Sequence, residues 1–66
     1  MEKKDYSLVG QDGNAYSLMF YAKKAMKECG RTNEQIAEVM TNAMSGDYNN
    51  LIVVLDAELQ KLNEGE

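Results

Sequence analysis

The sequence predicts an all-α fold, a compact three-helix domain with an extended N-terminal arm. Three observations predict it. Apolar residues recur at three- and four-residue steps in three separate stretches, the signature of amphipathic helices. Short runs of turn and cap residues divide those stretches, at Gly10–Asn14, Gly30–Thr32 and Ser45–Asp47. The chain also contains no proline to interrupt a helix. With 66 residues there is one domain, spanning 1–66. A chain near this size buries only about 60% of the surface it exposes when unfolded, so its stability should be modest.

Residues 1–5, MEKKD, are charged and expected to fray. Tyr6-Ser7-Leu8-Val9 is short and mildly apolar, and is read as an extended arm laid over the helices with Leu8 or Val9 tucked in. The arm and its turn occupy 1–13. Asp12-Gly13 is a turn dipeptide, and Asp12 or Asn14 then supplies a side-chain oxygen for the free N–H groups of the first helix. That helix is placed at about 15–29. Its stripe is Ala15, Leu18, Met19, Ala22, Ala25, Met26 and Cys29, widened near the start by Tyr16, Phe20 and Tyr21. Gly30 supplies the left-handed residue that ends it.

Thr32-Asn33-Glu34-Gln35 has the form of a capping box. The second helix, about 33–44, has the stripe Ile36, Val39, Met40, Ala43 and Met44. Ser45-Gly46-Asp47 breaks it, with Gly46 expected at positive φ and Ser45 or Asp47 capping the next helix. That third helix, about 47–62, dominates the chain. Tyr48, Leu51, Ile52, Leu55, Leu59 and Leu62 line one face, and Val53 and Val54 fall outside it. A helix apolar on every side is buried on every side, so this one should be a central element or share a surface with a second molecule. Residues 63–66 are polar and expected to fray.

The composition narrows function by exclusion. No histidine is present for acid–base work or to activate Cys29, so no enzyme is expected, and no catalytic residue stands out. One cysteine and no histidine exclude zinc sites of the Cys/His type and a disulfide within one chain, and Cys29 is read as a reduced thiol in a helix end. Asp12-Gly13-Asn14 and Asp47-Tyr48-Asn49 lack the ligand order of a calcium loop. The Gly10–Asn14 loop lacks the Lys-Ser/Thr pair of a phosphate loop, and Asp12 would itself occupy the helix N-terminus. No metal or cofactor is expected. A domain this small also leaves little room for a deep pocket of the usual volume of about 300 Å³ or more.

A net charge of −4 argues against non-specific nucleic-acid binding. Lys23, Lys24, Lys27 and Arg31 form the one basic cluster, read either as a solvated helix face or as a contact for nucleic acid or an acidic partner. A helix-turn-helix docking mode fails because the reading helix, LIVVLDAEL, has no Arg or Lys for a base edge. There is no apolar leader after Met1-Glu2-Lys3-Lys4 and no run long enough to span a membrane, so the cytoplasm is the default location.

What remains is surface. Tyr16, Phe20, Tyr21 and Tyr48, with Val53 and Val54, are more apolar area than a minimal three-helix core needs. Met19, Met26, Met40 and Met44 suit a core or an adaptable binding face. The expectation is a protein–protein interaction or accessory module, with Tyr16, Phe20, Tyr21, Val53 and Val54 as its face. Its partner would be another protein or a second copy meeting through the third helix. The alternatives are a nucleic-acid accessory factor using the Lys/Arg stripe and a purely structural protein.

Val9-Gly10-Gln11-Asp12-Gly13-Asn14-Ala15, Leu18-Met19, Thr32-x-x-Gln35-Ile36 and Ser45-Gly46-Asp47-Tyr48-Asn49-Asn50-Leu51 together resemble a group of small bacterial proteins found near phage or other mobile-element genes. The resemblance covers nearly the whole chain. Phe20 departs from it, standing where the group has a small residue after Leu-Met. No activity is assigned to that group, so the resemblance implies neither a reaction nor a site residue.

Overall fold

The computed structural model describes residues 5–65, and the expected fraying at residues 1–4 and 66 lies outside them. Three helices occur in order: α1 Ala15–Glu28, α2 Asn33–Ala43 and α3 Tyr48–Asn63. No strand occurs among the described residues. The chain is all-α.

Each helix start is fixed by a side chain. Asn14 caps α1 by accepting the Tyr16 N–H at 2.9 Å, and Asp12 accepts the Asn14 N–H just before it. Thr32 and Gln35 form a complete capping box, exchanging bonds of 3.1 and 2.8 Å with each other's backbone N–H groups. Asp47 caps α3 by accepting the Asn50 N–H at 2.9 Å. Ser45 instead turns its hydroxyl back onto the Asn42 carbonyl at 2.7 Å. At the end of α1 the Arg31 N–H bonds to the Met26 carbonyl and the Gly30 N–H to Lys27, a Schellman closure that requires φ of 84° at Gly30.

Gly46 works differently from the positive-φ role expected of it. Among the described residues, only Gly10, Gly30 and Gly65 have positive φ. Gly46 is needed for space: a Cβ there would lie 2.9 Å from the Cβ of Asn50. That close approach lets the Asn50 amide donate to the Asn42 and Ala43 carbonyls, near the end of α2 where the helix runs out of its own donors.

The core is Leu18, Ala22, Ala25 and Met26 of α1, Ile36, Met40 and Ala43 of α2, and Leu51, Leu55, Leu59 and Leu62 of α3. α3 packs along both other helices, whereas α1 and α2 meet over a much shorter length. The molecule is flat, with extents of 35 × 27 × 15 Å. Flatness explains where α3 departs from burial on every side. Nothing lies over its outer face, so Val53 is 63% exposed, while Val54 on the neighbouring side packs against the core.

The arm is held by side chains. Asn63 accepts the Tyr6 N–H at 2.7 Å and donates to the Tyr6 carbonyl at 2.9 Å, so this residue, expected in a fraying end, is a clamp. The Ser7 N–H donates to the Tyr21 hydroxyl at 3.0 Å, and the Tyr6 and Tyr21 rings meet edge to face at 6.4 Å. Leu8 packs against the core and Val9 points outward. The Tyr6 hydroxyl donates to Glu28 at 2.9 Å. That bond, reinforced by lost hydration and the adjacent Cys29, holds the phenol well above its ordinary value of 10.0. A raised folded pKa means the proton stabilises the fold. The contribution is complete below about pH 10 and is lost as the pH rises beyond it. Between about pH 9 and 11 the thermal midpoint should therefore fall further in the parent chain than in Tyr6→Phe. Equal falls would show that Tyr6 does not carry the alkaline sensitivity.

Candidate functional site

On α1, Tyr16, Phe20, Lys23 and Lys27 recur at steps of four, three and four residues, so they share one stripe. All four are exposed, Tyr16 by 79% and Phe20 by 69%. Lys24 is exposed beside them. A depression of about 510 Å³ is lined by Phe20, Lys23, Lys24, Lys27 and Glu28.

Across the Lys23–Lys27 ridge, where α1 and α2 diverge, lies a second depression of about 460 Å³. Its lining includes Ile36, Ala37, Met40 and Met44, with Asn33 and Thr41 on the α2 side. Met44 also lines a third, of about 290 Å³, at the base of the molecule with Tyr16, Met19, Tyr48 and Leu51. The second and third, which share Met44, form an open trough along α2 to the base of the molecule, edged by Lys23 and Lys27, and the Phe20 depression lies on the far side of that ridge. The sequence argued against a deep pocket, and these depressions are of another kind. The volume arises because α1 and α2 splay apart over α3, and it is surface groove, not enclosed cavity.

The residues expected to form an interaction face are divided by the fold. Tyr16 lines the depression at the base, and Phe20 the one beyond the Lys23–Lys27 ridge. Tyr21 is half-buried, its hydroxyl occupied by the arm. Val54 packs against the core, and Val53 is exposed on α3. The basic cluster divides too. Lys23, Lys24 and Lys27 point outward, while the Arg31 Nε lies 3.4 Å from Glu58 and joins the α1–α2 turn to α3.

Met44 and Tyr48 join the face, Tyr48 from the apolar surplus and Met44 from the methionines that suit a core or a binding surface, although neither was among the five residues expected to form it. They are 59% and 50% exposed, although each continues an apolar stripe. The available signal was position: both adjoin the Ser45–Asp47 break, where a stripe outruns the helix it packs against. The Tyr48 hydroxyl donates to the Gly13 carbonyl, fixing its ring beside the start of α1.

Among the described residues, no three His, Cys, Asp or Glu side chains converge to hold a metal. No helix among them is long and apolar enough to cross a membrane. Comparison with protein-family models, with curated proteins and with solved structures finds no match to this chain.

Proposed function

We propose that this chain is a small protein–protein interaction module that offers its α1–α2 side to a partner protein in the cytoplasm. The observation that supports the reading is the gathering of Tyr16, Met44 and Tyr48, three large exposed apolar side chains, around one depression, with exposed Phe20 one turn along α1 from Tyr16. Contiguous exposed apolar surface marks interaction sites in soluble proteins, whereas scattered single residues do not. Val53, the one large exposed apolar side chain of the outer face of α3, is of the scattered kind, which weighs against self-association through that helix.

Lysines interleaved with Phe20 also favour a second reading, contact with single-stranded nucleic acid by stacking and phosphate attraction. The net charge of −4 weighs against it.

Affinity capture from lysate of the source cell tests the first reading, using the parent chain, Phe20→Lys/Met44→Lys and Val53→Lys. All three substituted positions are exposed, so helical circular dichroism should be retained. The expected result is a near-stoichiometric protein held by the parent and by Val53→Lys but lost by the double variant. A protein retained by the double variant, or recovery of nucleic acid that is shed with added salt, overturns the reading.

A further inference from the structure

We infer that the occupant of the trough is an amphipathic α-helix of about three turns, apolar on one face and carrying carboxylates along one flank. This rests on the interaction-module reading and names the partner's chemistry. Residues 33, 36, 37, 40, 41 and 44 of the lining recur at helical steps, so the trough runs the whole length of α2. The 11 residues of α2, at a rise of about 1.5 Å each, give about 16 Å, the length of three turns.

Ala37 and Met44 are exposed on the floor above the buried Ile36 and Met40, and offer a small and a flexible apolar surface seven residues apart, which suits anchors along one face of a helix. One wall is cationic, Lys23 and Lys27, and the other is neutral, Asn33 and Thr41. The alkyl stems of the lysines can lie over an apolar guest while the ammonium groups reach its edge. Charge complementarity therefore places acidic residues on the flank facing α1. An extended peptide gains less here, because the described residues present no sheet edge for strand addition.

A second copy fits poorly. The outward face of α1 is itself lysine-rich, that of α3 has a single large apolar residue, and α2 forms the trough wall. Docking α3 into the trough would also be a head-to-tail contact, which builds chains unless the rotation happens to close.

The test is selection from a random peptide display library of about 14 residues, long enough for the trough with one extra residue or two at the ends. The target is the full chain. Selected peptides should share the helical apolar spacing and an excess of Asp and Glu. A consensus peptide should become helical on binding and shift the methyl resonances of Met40 and Met44. Lys23→Glu/Lys27→Glu should weaken it by at least about tenfold, and replacing the peptide's acids with lysine should restore binding to that variant.

No enrichment, an extended consensus, no acidic excess, or indifference to the charge swap would overturn the inference. So would oligothymidylate binding the trough more tightly than any selected peptide. If the natural partner is still lost by Phe20→Lys/Met44→Lys while these outcomes hold, the module reading survives and the helix inference falls alone.

Discussion

Leu55→Ala should lower the stability of the chain by about 2–5 kcal/mol, since the substitution removes a fully buried leucine and leaves a cavity. At about 0.05–0.15 kcal/mol per residue, a 66-residue chain has only roughly 3–10 kcal/mol in all. A sizeable unfolded population at physiological temperature is the expected outcome. The size of the effect comes from position. Leu55 lies mid-way along α3, the helix that both others pack against, so no neighbouring element can move in without losing its own contacts. Urea titration followed by far-ultraviolet circular dichroism would measure it. Val53→Ala, on the uncovered side of the same helix, should change stability by no more than about 0.5 kcal/mol. Similar losses from both would show that α3 is not covered on one side only.

Asn63→Ala should loosen the arm while leaving the helices in place. One amide serves both the N–H and the carbonyl of Tyr6, and both contacts are partly buried. Removing it leaves a donor and an acceptor without their partner, at a cost of about 1–3 kcal/mol. For a domain of this size that is a fall of about 4–8 °C in thermal midpoint per kcal/mol. Tyrosine near-ultraviolet circular dichroism should weaken as the Tyr6–Tyr21 edge contact is lost, with the far-ultraviolet helix signal retained. Asn63→Asp keeps the acceptor and loses the donor, and should lie between the two. An unchanged midpoint in Asn63→Ala would mean that this clamp adds nothing to stability.

The fold was legible because it is written in local chemistry. Stripes of period 3.6 identify each helix, and Asn14, Thr32 and Asp47 fix each start within a few residues of chain. What was illegible depends on which side of a helix has a neighbour. Val53 and Val54 are adjacent valines of the same chemistry, yet one is exposed and the other packed, because a flat arrangement covers only part of α3. Met40 and Met44 belong to one stripe, but the first is buried in the core and the second lies past the end of α2. Arg31 comes after the lysines at the same spacing, but beyond Gly30 the chain has turned and its guanidinium faces Glu58. The Asn63–Tyr6 clamp joins residues 57 apart, with nothing in either neighbourhood to announce it.

That clamp also divides the molecule by timescale. The helix amides are tied into backbone ladders, and those in the core can exchange with solvent only when the domain opens widely. The Tyr6 and Ser7 amides are held by the side chains of Asn63 and Tyr21 alone. Rotation of those two side chains, with release of Leu8 and of the Tyr6–Glu28 bond, frees them while the helices stay closed. The N-terminal segment can therefore lift and settle many times within the lifetime of one intact helical body, and deuterium should enter it long before it reaches Leu55.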